Sequence, residues 1–309
     1  IRSCEHSGFI KIHSGLNKNK LINLGMDSRE MNRLLDDDMY IDQNKFRSWM
    51  ESIVTKTILN LLEIKDNRYL LKINNNEYII RIIKSGPAFT FEVEFMNGKT
   101  INIDLVPVLE FSKDVPNMHN LSEFKTFQKQ NWFAVPKPVT QVGRKCICWR
   151  TCFYEQEKEI LSKNGQIKQI IRLVKKLRDT RNWKNIASYY IETIALHLLQ
   201  DEPNFGKRSC TLSFMQMLCY MQKTLINRCL YYYWNNRFNL LDKLHFEEVK
   251  NISNKLGKII KTINESIENN PYIIAFHILN TEEYKQFLEW LNKQPSEIEN
   301  NEYSRCILF

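Results

Sequence analysis

The sequence predicts an α+β protein in which a mixed, largely antiparallel sheet half precedes an all-helical half. Three observations carry this reading. Short apolar runs broken by turn residues fill the chain to about residue 155, and helical periodicity takes over beyond it. The pair Asn97-Gly98 sits between two alternating runs, a strong hairpin signal. The 309 residues include 17 Phe, 13 Tyr and 6 Trp within a 43% hydrophobic composition, enough for a sizeable buried core.

The first strand-like run is Gly8-Phe9-Ile10-Lys11-Ile12-His13. Asp36-Asp37-Asp38 reads as a solvated turn before the first helix, where negative charge suits a helix N-terminus. That helix is predicted over about 42–63, with Phe46, Trp49, Met50, Ile53, Ile58, Leu61 and Leu62 forming its apolar stripe. Residues 67–111 read as an antiparallel meander punctuated by Asn74-Asn75-Asn76, Ser85-Gly86-Pro87 and Asn97-Gly98. After 155, Ile160, Ile167, Ile170, Ile171, Val174 and Leu177 mark one helix face, with Lys168, Arg172 and Lys175 opposite. Further helices are predicted near 186–200, 212–234, 246–269 and 281–293.

Composition removes several classes. Nine Gly and eight Pro exclude collagen-like and Pro/Gly low-complexity chains, and the aromatic content excludes disorder over most of the length. No apolar stretch approaches the roughly 18 residues of a transmembrane helix. The opening residues carry neither an initiator Met nor the apolar core of a signal peptide, and are read as following a missing N-terminus. Eight Cys without regular spacing fit reduced thiols and a cytoplasmic protein. The formal charge of +9 favours an anionic partner. Most of it lies between Lys158 and Lys184, where nine basic residues face only Glu159 and Asp179.

Four constellations bear on chemistry. Asp104 interrupts the apolar run Ile101-Asn102-Ile103-Asp104-Leu105-Val106. A carboxylate there needs compensation, either a divalent cation or an Arg or backbone amide at the strand end. Cys146, Cys148 and Cys152 share the parity of Arg150 but lack the second pair a zinc site requires, so they read as small packed side chains. His197, between Leu196 and Leu198 on a helix, reads as packed. The basic helix is either a solvated face or a phosphate-binding one, for nucleotide or for a nucleic-acid backbone. No Ser/His/Asp set, Walker loop or GxGxxG is present.

Taken in order, several segments resemble the cGAS-like receptors within the male-abnormal-twenty-one group of nucleotidyltransferases. They are Lys99-Thr100-Ile101-Asn102-Ile103-Asp104-Leu105, Val135-Pro136-Lys137, Trp149-Arg150-Thr151-Cys152-Phe153 and Glu157-Lys158-Glu159-Ile160-Leu161. Leu173-Val174-Lys175-Lys176-Leu177-Arg178-Asp179, Ala187-Ser188-Tyr189-Tyr190, Trp234-Asn235 and Phe238-Asn239-Leu240-Leu241 complete the series. The resemblance implies a bilobed nucleotidyltransferase fold. Residues 1–155 would be the remaining part of the core, incomplete at its N-terminus, 156–300 the helical lobe and 301–309 a flexible tail.

The implied activity joins ATP and GTP into a cyclic GMP-AMP type dinucleotide on sensing double-stranded RNA, in innate immune signalling. Double-stranded DNA is the less favoured activator, and a downstream receptor of STING type would read the product. Mg²⁺ or Mn²⁺ would serve the reaction, with Asp104 as the third of three metal-binding carboxylates. By the same resemblance, Lys137, Arg150, Glu157, Lys175, Ser188 and Tyr189 would bind nucleotide. Arg150 and Glu157 would contact the base and Tyr189 stack on it, while Lys175 and Ser188 would meet the donor triphosphate. Lys168 and Arg172 are the candidates for nucleic-acid binding.

Two departures qualify this. The family's Gly-Ser turn, its acidic pair and its long N-terminal helix have no counterpart here, so this polypeptide by itself is expected to be inert and the intact protein active. A catalytically inactive nucleic-acid-binding or developmental scaffold of the same family is the alternative. Ser162-Lys163-Asn164-Gly165-Gln166 stands where vertebrate cGAS carries a zinc ribbon, and no structural zinc is expected. The terminal Cys306-Ile307-Leu308-Phe309 fits a prenylation box, and a lipid at Cys306 would give weak, reversible membrane association.

Overall fold

The computed structural model describes residues 1–293 apart from 24–28, 30–32, 86–87, 113–114, 117, 119, 138–146 and 203. Gly86, Pro87, Cys146 and Cys306 therefore lie outside the described residues. The chain divides into two compact units, one of Ile1–Met118 and Phe124–Glu155, the other of His119–Glu123 and Gln156–Phe309.

The first unit holds two five-stranded sheets. One is an antiparallel meander of β3 (Leu62–Lys65), β4 (Arg68–Ile73), β5 (Asn76–Ser85), β6 (Ala88–Phe95) and β7 (Thr100–Leu105). Its turns follow backbone chemistry. Asp66-Asn67 and Asn74-Asn75 all hold positive φ, between 48° and 64°, the conformation that a two-residue primed turn requires and that Asn and Asp tolerate. Gly98 supplies φ 77° in the loop between β6 and β7. The other sheet runs in the order β1 (Arg2–Ser3), β2 (Phe9–Lys11), β10 (Cys148–Cys152), β9 (Trp132–Val135), β8 (Leu109–Phe111).

Between β2 and β3 lie the short α1 (Lys18–Asn23) and the longer α2 (Gln43–Ile58). Asp42 caps α2, its side chain accepting from the Lys45 backbone amide. Asp36 instead organises its own turn, accepting from the amides of Asp38 and Tyr40. Ile58, at the end of α2, packs with Tyr69 and Ile80 of the meander. Trp149, fully buried on β10, donates from Nε1 to the Ile41 carbonyl at 2.9 Å and meets Phe46 edge-on.

Several expectations are corrected here. The predicted helix over 42–63 ends at Ile58, because Leu62 and Glu63 pair with Leu70 and Tyr69 as β3. The predicted meander loses its last run. Pro107, which has no N–H to offer a ladder, separates β7 from β8, and β8 joins β9 in the other sheet. The thiols are not all unpaired, since Cys4 and Cys148 form a disulfide across 144 residues. Pairing of Lys11 with both Arg2 and Cys148 brings the two together.

The second unit is helical: α4 (Tyr154–Ser162), which begins at its boundary, α5 (Ile167–Thr180), α6 (Ser188–Asp201), α7 (Cys210–Asn227), α8 (Phe246–Ser266), α9 (Ile273–Ile278) and α10 (Thr281–Asn292). A short α3 (Leu121–Phe124) spans the other boundary. The apolar face of α5 is buried as predicted at Ile167, Ile170, Ile171, Val174 and Leu177, and Lys168 and Arg172 are exposed. The predicted all-helical character fails at one place. Arg228, at φ 49°, ends α7 in a left-handed cap, and the aromatic-rich segment after it forms a hairpin of β11 (Tyr231–Tyr232) and β12 (Asn235–Asn239). Among the described residues no helix is long and apolar enough to cross a membrane.

Burial and the Arg181 guanidinium, 3.0 Å from Nδ1, hold His277 below the ordinary histidine range. The unfolded chain then binds a proton more readily than the folded one as pH falls below about 6.5, so stability is expected to decline with acidification. Thermal midpoints between pH 7.5 and 5.5 check this: they should fall by a few degrees, and the fall should shrink in His277→Gln.

Candidate functional site

In the first unit, Asp104 stands on β7 opposite Thr90, whose Oγ1 donates to Oδ1 at 2.6 Å. The environment expected for it is corrected. Residues Ile101, Ile103 and Leu105 share the apolar face of the meander with Phe89, Phe91 and Val93, yet remain 45%, 51% and 41% exposed. Asp104 is itself exposed, on the opposite face, so no burial penalty demands a counter-ion. Its availability to solvent and metal is what the geometry offers instead. Arg150 lies on β10, paired with Val135 of β9, and Lys137 follows β9 by two residues. Arg150 therefore sits on a strand and Lys137 just past the end of its neighbour, in a different sheet from that of Asp104.

In the second unit, the matched residues converge. Glu157 on α4 is buried, and its Oε1 accepts from the Tyr189 hydroxyl at 2.9 Å and from Trp234 Nε1 at 3.0 Å. Ser188 opens α6, and its Oγ accepts from Arg178 Nη1 at 2.8 Å. Lys175, nearly one turn before Arg178 on α5, pairs with Glu192 of α6 at 2.6 Å. Ala187 gives α6 no side-chain cap. A helix N-terminus flanked by two cations and a hydroxyl is chemically suited to phosphate. Trp234 and Arg178 belong to the resembling segments without a site role there, and Glu192 carries no signal in the sequence. Trp234 fell within a predicted helix, and the others lay in ordinary charged faces.

Four of the nine basic residues of the segment form ion pairs, Lys163 with Glu159, Lys175 with Glu192, Lys176 with Glu283 and Arg178 with Asp179, while Arg181 donates to the His277 carbonyl. Lys168 and Arg172 are exposed, and their side chains form no ion pair or hydrogen bond among the described residues.

Asp104 supplies a hard oxygen donor of the kind Mg²⁺ or Mn²⁺ takes. Among the described residues it belongs to no group of three His, Cys, Asp or Glu ligands. The one such group is Cys4, Glu5 and Cys148, whose two sulfurs are bonded to each other and whose carboxylate pairs with Lys11. Asp104 thus fits as one ligand of a divalent site that needs further oxygens.

Two family models match the chain. The Mab-21 protein nucleotidyltransferase domain matches residues 5–163, and the Mab-21 protein HhH/H2TH-like domain matches residues 166–258. The chain is 37% identical over 293 residues to a cyclic GMP-AMP synthase-like receptor of Microplitis demolitor, covering 94% of this chain and 54% of that protein. It is 35% identical over 315 residues to one of Trichogramma pretiosum, covering 98% and 64%. A third, of Tribolium castaneum, is 34% identical over 265 residues, covering 83% and 64%. The chain therefore spans between about half and two thirds of the length of these relatives.

Proposed function

The chain belongs to the Mab-21 family, and from that premise we propose that the intact protein is a nucleotidyltransferase. In this reading it makes a cyclic GMP-AMP type dinucleotide from ATP and GTP when it senses double-stranded RNA. The observation that carries it is the convergence in the second unit. Glu157, Lys175, Ser188 and Tyr189 come from three helices, and three separate contacts tie α4 and α5 to α6 where they lie: Glu157 with Tyr189, Lys175 with Glu192 and Arg178 with Ser188.

Each residue has a stated task. Lys175 and the start of α6 at Ser188 hold a triphosphate, with Arg178 keeping the Ser188 hydroxyl in place. Tyr189 stacks on a base, and the Glu157 carboxylate accepts from a base N–H. Arg150 and Lys137 serve the acceptor nucleotide, Arg150 through its planar set of donors. Asp104 holds Mg²⁺ or Mn²⁺, which when bound supplies charge neutralisation of phosphate oxygens and activation of a ribose hydroxyl. A receptor of STING type would then bind the product.

The experiment is direct. The intact protein is incubated with ATP, GTP, Mg²⁺ or Mn²⁺ and a synthetic RNA duplex, and products are separated by mass. A cyclic dinucleotide that depends on the duplex supports the reading. Duplex binding with no nucleotide consumed identifies a binding protein instead.

Lys168 and Arg172 are proposed to touch RNA through phosphates. Their charge reversal together should weaken unrelated duplexes to a similar extent, about tenfold at low salt, and reduce the slope of log affinity against log salt by about 2. Titrations at several salt concentrations check this, and an unchanged slope returns the two residues to a solvated helix face.

A further inference from the structure

We infer that Trp234 is a positioning residue that aims the Glu157 carboxylate, an inference that rests on the nucleotide-contacting role proposed for Glu157. Glu157 is only 8% exposed, and a buried carboxylate must be hydrogen-bonded to stay ionised. Two neutral donors meet on its Oε1, the Tyr189 hydroxyl from α6 and the Trp234 indole N–H from the turn of the β11–β12 hairpin. The two donors come from different elements and meet on one oxygen, which fixes the direction in which the carboxylate faces.

The indole has little freedom to do otherwise. Trp234 is fully buried, and Tyr233 beside it is anchored at both ends. The Tyr233 carbonyl accepts from Asn120 at 2.8 Å, and its hydroxyl donates to both oxygens of Glu123 at 2.8 and 2.7 Å. The hairpin ends are closed by the Asn239 side chain, which accepts from the Leu230 amide and donates to the Arg228 carbonyl. A rigid hairpin thus presents one N–H in one direction, and α4 receives it. Tyr189 from α6 and Tyr233 with its partner Glu123 are titratable groups beside Glu157; burial and the Glu123 carboxylate push the Tyr233 phenol up, so it stays neutral.

The test compares Trp234→Phe, which keeps an aromatic ring and removes the donor, with Tyr189→Phe, Glu157→Gln and the Trp234→Phe/Glu157→Gln pair, in the intact protein with a synthetic RNA duplex. Loss of one hydrogen bond to a charged acceptor should raise KM for at least one of GTP and ATP about tenfold while kcat changes little. Removing a donor from an ionised carboxylate raises its pKa, so the acid limb of kcat/KM should move to higher pH in both single donor variants. In the Glu157→Gln background, Trp234→Phe should add almost nothing, because it acts through that carboxylate. A purely structural tryptophan would lower stability equally in both backgrounds and leave the acid limb in place, and that result overturns the inference. If Trp234→Phe does not fold, Tyr189→Phe decides: an unmoved acid limb overturns the fixed-carboxylate geometry. If Glu157→Gln itself leaves both KM values unchanged, the role proposed for Glu157 fails and takes this inference with it. A raised KM in Glu157→Gln with none in Trp234→Phe overturns the inference alone.

Discussion

Asp104→Asn in the intact protein is expected to abolish nucleotide transfer, a loss on the order of 10³-fold or more if a metal ligand worth several kcal/mol is removed. The thermal midpoint should stay where it is. Asp104 is exposed on the edge strand β7, and its bond from Thr90 Oγ1 survives replacement, since an Asn carbonyl oxygen accepts the same hydroxyl proton. What the substitution takes away is the charge and one of the two oxygen donors. Nucleotide turnover and RNA binding, measured side by side, separate the two consequences. Unchanged turnover with a folded protein removes Asp104 from the metal site, whereas loss of both turnover and RNA binding points to a damaged fold.

Trp149→Ala is expected to cost about 4 kcal/mol of stability in urea unfolding, the scale of deleting a fully buried large aromatic side chain. The Ile41 carbonyl loses its indole donor in addition, and Phe46 loses its edge-on partner. Trp149→Phe keeps a ring in the space and should cost clearly less. Because Trp149, paired with Ile10 of β2, directly precedes Arg150, which pairs with Val135 of β9, the Ala variant should also weaken nucleotide binding at temperatures where it is still folded. Equal stability of the Ala variant and the natural protein would mean that β10 is not held by this side chain.

The family resemblance drawn from short segments is supported by two domain models that together run from residue 5 to residue 258. Local patterns led to it because the segments themselves are local, each a few residues with its own strand or helix. The misreadings share a cause. Leu61 and Leu62 continue a helical stripe, yet the pairing of Leu62 with Leu70 outweighs it, since an amphipathic face gains stability only where something covers it. Residues 228–234 continue an apolar run, yet a left-handed Arg228 and the pairing of Tyr231 with Asn239 end the helix. Asp104 was read as a charge inside an apolar strand, but alternation along β7 turns it to the polar face, with Thr90 opposite.

By itself the sequence determined the α+β class, the succession of sheet and helical parts, the buried face of α5 and the family. Periodicity, turn chemistry and short motifs are written in neighbouring residues, so they are readable without knowing what packs on what. The tertiary structure alone decided which side chains share a bond. Glu157 meets Tyr189 across 32 residues and Trp234 across 77, and Cys4 meets Cys148 across 144. Such partners are chosen by where rigid elements place them. A donor at about 3 Å is a hydrogen bond and one a few ångströms further is none, a distinction that no spacing along the chain encodes.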